Sequence, residues 1–133
     1  MANTTFNGPV RSENGFQSIT KSATTGAVTV NSSFGTDVVF SNQSLSGAGA
    51  VNVTNTLTSL TTTGASQALT LANGSVGELK VIVHTVDGGS AVLTPTTKIG
   101  FSTITFTAVG DSATLIYTST GWAIIGSRGV TIA

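Results

Sequence analysis

Apolar and polar residues alternate along most of this chain, with the period of two that marks strands having one face in a core. Val28 and Val30 share a face, and Val51 with Val53, then Leu69 with Leu71, repeat the pattern. Leu57 and Leu60 lie three apart, which would allow a helical turn. The threonines around them (Thr56, Thr58, Thr61, Thr62, Thr63) are poor helix formers, so strand is favoured. Residues 78–86 predict the strongest strand. Leu79, Val81 and Val83 fall on one face, and Ile82, His84 and Val86 on the other. Apolar residues on both faces predict a central place in a sheet.

Turn chemistry punctuates these runs. Asn7-Gly8-Pro9, Ser46-Gly47-Ala48-Gly49, Asn73-Gly74 and Gly110-Asp111 each read as turns, and Ser33-Phe34-Gly35-Thr36 reads as a loop before a short strand over 37–41. Asp87-Gly88-Gly89 reads as a tight turn, after which Ala91-Val92-Leu93 is expected to pair back and Pro95 to end the strand. Residues 101–108 alternate with Ile104, Phe106 and Ala108 inward. Ala113, Leu115 and Tyr117 alternate next; Trp122-Ala123-Ile124-Ile125 follows Gly121, and Val130-Thr131-Ile132 forms a last short strand. Strands every 8–12 residues with glycine turns predict a sandwich or barrel. The expected fold is an all-β, single-domain antiparallel β-sandwich or barrel, jelly-roll-like, over residues 23–133. Residues 1–22 lack any strand or helical period and are expected to form an extended N-terminal arm. Thr24-Thr25-Gly26-Ala27, Thr62-Thr63-Gly64-Ala65 and Ser119-Thr120-Gly121-Trp122 look alike at unequal spacings, which reads as shared turn chemistry and not as a solenoid period.

Composition sharpens this picture. The 133 residues suit one domain. About 41 positions are Ser or Thr and 16 are Gly, while charged residues make up only 8% and net charge is zero. A hydrophobic share of 39% with no net charge argues against disorder. Balanced charge argues against nucleic-acid or polybasic membrane binding, which need a positive surplus. The polar opening Met1-Ala2-Asn3-Thr4-Thr5 predicts no secretion signal, and no apolar run reaches membrane-spanning length. A monomer of this size exposes on the order of 6,000 Å². Ten charges leave most of that surface uncharged, which predicts a homo-oligomer or larger assembly in preference to a neutral, threonine-rich monomer.

Candidate chemistry is sparse. With no cysteine there is no disulfide, thiolate metal site or Cys nucleophile. His84 is the single histidine, and a Ser-His-Asp arrangement would need it with Asp87 or Asp111; its mid-strand setting among apolar neighbours predicts a structural role. The acids Glu13, Asp37, Glu78, Asp87 and Asp111 are scattered, without the spacing of a calcium loop. A paired-carboxylate hydrolase is remote, since Asp87 and Asp111 sit in turn signals. One His and no Cys do not make a structural zinc site. Residues 74–80 lack the adjacent Gly-Lys-Ser/Thr of a phosphate loop. Neither enzyme activity, nor a metal, nor a cofactor is therefore expected. Trp122 with Tyr117 could stack on a sugar, as in a carbohydrate-binding module, but Trp122 more naturally packs in the core or at a subunit contact.

Two stretches carry a resemblance. The opening Thr5-Phe6-Asn7-Gly8-Pro9-Val10-Arg11-Ser12-Glu13-Asn14-Gly15-Phe16, continuing to Thr24-Thr25-Gly26-Ala27-Val28, resembles the start of small virion structural proteins of marine tailed phages. The block containing Gly77-Glu78-Leu79-Lys80, Thr94-Pro95-Thr96, Thr103-Ile104-Thr105-Phe106, Gly110-Asp111-Ser112, Leu115-Ile116-Tyr117 and Gly121-Trp122-Ala123-Ile124-Ile125-Gly126-Ser127 is similar to a β module of phage capsid-decoration and fibre proteins. Together they cover roughly two-thirds of the chain; residues 31–72 match neither. The resemblance implies a homotrimeric capsid decoration (cement) protein on the outer surface of the virion, with the major capsid protein as partner and no catalytic residues. Its arm, residues 4–19, would contact the capsid or a neighbouring subunit through Phe6, Pro9, Val10, Arg11 and Phe16, where Arg and Phe are the strongest anchor types. The alternative it leaves is a head-fibre, tail-fibre or tail-tip component that binds a receptor or glycan.

Overall fold

The computed structural model describes residues 16–34 and 39–133, and among them every regular element is a strand. Two units are distinct, 1–39 and 40–133. In the first, β1 (Phe16–Lys21) pairs antiparallel with β2 (Val28–Phe34) across the Thr24-Thr25-Gly26 turn. Ser22 and Ala27 close that turn: Ser22 N donates to Ala27 O at 2.8 Å, and Gly26 N to Ser22 O at 2.9 Å. This corrects two expectations. Residues 16–21 form a strand within the segment read as irregular, and β2 runs on through Ser33 and Phe34, which were expected in a loop. Of the short strand expected over 37–41, residues 37 and 38 lie outside the described residues, and 39–41 are not in a strand.

The second unit holds ten strands in two sheets of five. They are β3 (Asn42–Ser46), β4 (Gly49–Val51), β5 (Leu57–Thr61), β6 (Gln67–Leu71), β7 (Leu79–Val86), β8 (Ala91–Pro95), β9 (Ile104–Phe106), β10 (Ser112–Thr118), β11 (Gly121–Arg128) and β12 (Thr131–Ile132). The first sheet has the order β11-β10-β7-β5-β3 and the second β12-β9-β8-β6-β4. Their inner faces share one core. Leu60, Ile82, Ala113, Leu115 and Trp122 come from the first sheet; Val51, Leu69, Leu71, Ala91, Leu93, Ile104 and Phe106 come from the second. This is the expected all-β sandwich, with β7 central as its two apolar faces predict.

The strand directions differ from expectation. From β3 to β8 the chain alternates between the sheets, so β3, β5 and β7 lie parallel in one and β4, β6 and β8 parallel in the other. The result is a short coil of three turns, closed by antiparallel β9 to β12. The sheets are therefore mixed, and the antiparallel, jelly-roll-like expectation is corrected, because jelly rolls are built from antiparallel Greek keys. The coil also qualifies the solenoid reading. Thr62-Thr63-Gly64-Ala65 is indeed turn chemistry, but the coil repeats without repeating that motif. Leu45 stands beside Leu60, and Leu60 beside His84, so successive turns differ in length and leave no fixed period.

The corner after β7 explains the misread hairpin. β8 does not pair with β7; it crosses to the second sheet beside β6. Thr62 holds the crossing. Its Oγ1 accepts from Gly88 N at 2.8 Å and donates to Gly89 O at 2.8 Å. A Cβ at Gly88 would stand 2.4 Å from Thr62 O, so the chain passes only without a side chain there. A Gly-Gly pair looks the same in sequence whether the chain folds back or crosses over.

Candidate functional site

The residues expected to anchor the arm come first. Phe6, Pro9, Val10 and Arg11 lie outside the described residues. Phe16 opens β1, with its backbone opposite Phe34.

The ionisable groups of the second unit are engaged by the fold itself. His84 is fully buried, and its backbone is tied to the next turn: His84 N donates to Asp111 O at 2.8 Å and Gly110 N donates to His84 O at 2.9 Å. Thr62 Oγ1 lies 3.0 Å from His84 Nε2. The threonine's one proton goes to Gly89 O, which can only accept, so Nε2 carries the imidazole hydrogen and donates to Thr62. Nδ1 has no hydrogen-bond partner among the described residues, and leaving a buried polar atom unpaired costs about 1–3 kcal/mol. No carboxylate orients this ring. Asp111 Oδ2 instead accepts from Thr107 N at 2.8 Å, Ala108 N at 3.0 Å and Thr107 Oγ1 at 3.3 Å. The Thr107 amide leads in holding the Asp111 carboxyl below its usual range, with the Ala108 amide, the Thr107 hydroxyl and the nearby His84 adding to it against burial. Asp87 Oδ1 accepts from Gly89 N at 2.8 Å, an Asx-type turn, and Glu78 Oε2 accepts from Ser75 N at 2.7 Å. Ala108, expected inward, is exposed because the chain has already entered the Asp111 turn.

Lys80 is the group that sequence reading missed. It lies on the buried face of β7 between the positions of Glu78 and Ile82, and only 1% of it is exposed. Its Nζ donates to Asn55 O at 2.6 Å. That carbonyl belongs to a polar knot: Asn55 N donates to Asn52 Oδ1, Asn52 N donates to Gln43 Oε1, and Thr58 Oγ1 donates to the same Gln43 oxygen. Burial lowers the Lys80 ammonium to about 8, with Glu78 opposing. The signal was in the alternation, since Lys80 shares parity with Ile82 and His84.

Trp122 is fully buried, donates from Nε1 to Ala72 O at 2.8 Å, and meets Tyr117 edge-on at 5.1 Å. It is a core residue, as its apolar strand predicts, and does not offer a face to a sugar. No group of three or more His, Asp or Glu that could hold a metal occurs among the described residues, and no helix among them is long and apolar enough to cross a membrane.

No protein-family model matches this chain, and neither does any curated protein.

The two outer faces differ. On the first sheet, the positions turned away from the core form rows across the strands. Val81 stands between Leu57 of β5 and Thr114 of β10, Ile116 stands opposite Leu79, and Val83 stands between Ser59 and Ser112. Ala123 of β11 extends the row of Ile116. These side chains are half-buried and form apolar rows interrupted by Ser59, Ser112 and Thr114. Their surroundings (Asn42, Ser44, Ser59, Ser112, Thr114) are neutral, and Arg128, opposite Ser112, is the one charge at their corner. On the second sheet the corresponding positions are Ala50, Ala68, Thr70, Thr94, Thr105 and Thr131, with Val92 the only large apolar residue among them. Ala68, Thr70, Thr94 and Thr131 are exposed, as suits a hydrated surface.

Proposed function

We propose that this chain is a bacteriophage capsid decoration (cement) protein, acting as a homotrimer that binds the outer capsid surface between capsomers and stabilises the head against the pressure of packaged DNA. The observation that carries this reading is the uncharged apolar outer face of the first sheet. Such a face gains by being covered further, and apolar surface rimmed by polar residues marks protein contacts. The resemblance of residues 5–28 and 77–127 to small virion proteins supplies the setting. Each contact across a capsomer joint would bury ~1,200–2,000 Å². Three arms on one trimer would make the second and third contacts effectively intramolecular. In this reading Phe6, Pro9, Val10, Arg11 and Phe16 are the capsid-binding anchors, and the major capsid protein is the partner.

A second reading, a fibre or tail-tip component, draws on the parallel coil, since stacked coils are the way elongated β structures extend. Reconstitution separates the two. Heads prepared without this protein are expected to release their DNA at a lower temperature than complete heads, and to regain the higher temperature when purified protein is added. Protein that binds heads without changing that temperature would contradict the cement role.

A further inference from the structure

We propose that Asn73-Gly74 is a self-modifying site, at which the folded chain converts Asn73 to aspartate and isoaspartate through a cyclic imide. The chemistry asks for a free asparagine carboxamide, a free amide N–H on the next residue, and no side chain there to keep the two apart.

The loop between β6 and β7 supplies all three. Residues 72–75 have no regular structure, and Asn73 is exposed. Among the described residues, neither the Asn73 carboxamide nor Gly74 N has a hydrogen-bond partner. The residues on either side are held. Ala72 O accepts from Trp122 Nε1 at 2.8 Å, and Ser75 N donates to Glu78 Oε2 at 2.7 Å. The Asn73–Gly74 peptide is thus the unheld link between two fixed points. Gly74 has no Cβ to obstruct the approach of its nitrogen to Asn73 Cγ. Packing explains why glycine stands there. A Cβ at Gly74 would lie 2.8 Å from Glu78 Oε2 and 3.0 Å from Trp122 Cζ2. The fold therefore favours glycine at the position that makes Asn73 reactive.

The other described asparagines of the second unit lack this combination. Asn52 Nδ2 donates to Asn55 Oδ1 at 2.8 Å, and Asn52 Oδ1 accepts from Asn55 N at 3.0 Å, so both carboxamides are engaged. Asn42 Oδ1 accepts from Ser59 Oγ at 3.0 Å. The residues that follow these three are Gln43, Val53 and Thr56. Each carries a Cβ, and the branched side chains of Val53 and Thr56 crowd their own amides further.

The step balances without an oxidant or reductant. Hydroxide takes the Gly74 amide proton, and the nitrogen attacks Asn73 Cγ. A C–N bond closes the imide ring, and the carboxamide nitrogen leaves as ammonia. Water then opens the ring at either carbonyl. One opening restores the main chain with aspartate at position 73. The other routes the main chain through Cγ and lengthens it by a methylene. That methylene falls between the Ala72 and Ser75 anchors, and the new carboxylate falls beside the glycine on which Glu78 packs. The chain, formally neutral before, gains a negative charge.

The test is incubation of the purified full chain in mildly alkaline buffer at physiological temperature, both native and in guanidinium, followed by peptide mass spectrometry against an unincubated sample. Trypsin leaves Asn31, Asn42, Asn52, Asn55 and Asn73 in one peptide, residues 22–80, so fragment ions locate the change. Conversion of amide to acid is expected at Asn73, with aspartyl and isoaspartyl forms both present, while Asn42, Asn52 and Asn55 stay unchanged over the same time. The native rate is expected to lie within about tenfold of the denatured rate. Asn73→Gln is expected to abolish the isoaspartyl product in this peptide. Conversion of Asn73 only after denaturation would overturn the proposal, because the fold would then shield the site. So would aspartate without isoaspartate, which is direct hydrolysis of the carboxamide, or an isoaspartyl product in residues 22–80 that survives Asn73→Gln.

Discussion

The coil of β3 to β8 and the closing antiparallel strands β9 to β12 solve the same problem, covering a shared apolar core, by different means. The β10–β11 pair is joined by a two-residue turn, Ser119-Thr120, and its register is local. Its core side is dry: Ala113, Leu115 and Trp122. The coil joins strands through crossings between sheets, and each crossing needs polar groups to tie it down. Thr62 secures the Gly88-Gly89 corner, and Gln43, Asn52, Asn55 and Lys80 secure the other end. The lesson is that parallel pairing in so small a domain brings buried polarity with it, because the crossings leave backbone groups that only side chains can satisfy.

This contrast is sharpest in the response to pH. Lys80 belongs to the coil, and its folded value of about 8 lies below the ordinary lysine value of 10.5. Between those values the unfolded chain holds more protons than the folded one, so stability should rise with pH across that window, by about 3 kcal/mol. Below it, the cost of the buried ammonium is fully present. Lys80→Met should flatten this alkaline limb in urea titrations; a rise that persists in the variant would assign it elsewhere. Asp111, in the hairpin region, gives the opposite limb. Its lowered value stabilises the fold above the ordinary carboxylate range, and that contribution should be lost as pH falls through the folded value, a loss that Asp111→Asn removes.

Glycine substitutions give a smaller effect and separate the regions again. In the coil, Gly88→Ala drives a methyl group into the Thr62 carbonyl and should cost about 2 kcal/mol. In β11, a Cβ at Gly126 meets nothing within 4 Å, and Gly126→Ala should change stability by less than about 0.5 kcal/mol. Equal urea midpoints for the two variants would mean that the corner is not the tight point described.

Legibility in the sequence followed the same division. At the antiparallel end, alternation specified the face of each strand and the turn before Gly121 marked the β10–β11 hairpin, whereas the Gly110-Asp111 turn joins β9 and β10 of different sheets. Along the coil, alternation specified the face of Leu57, Leu69 and Val81 but not the neighbour, since partners such as Leu60 and His84 are far apart in the chain. Burial of Trp122 and the structural setting of His84 followed from apolar neighbours on their strands. Lys80 was overlooked because a lysine is expected to reach water, although its parity placed it inward. The apolar second face of β7 was visible in Leu79, Val81 and Val83; its extension through Leu57 and Ile116 required the register.

The most direct measurement is the copy number of this protein in purified virions, relative to the major capsid protein. A decoration protein spread over the head lattice predicts a near-integer ratio and copies on the order of hundreds, in multiples of the oligomer. A few copies to a few tens per particle would contradict the cement role and move the chain to a vertex, fibre or tail tip.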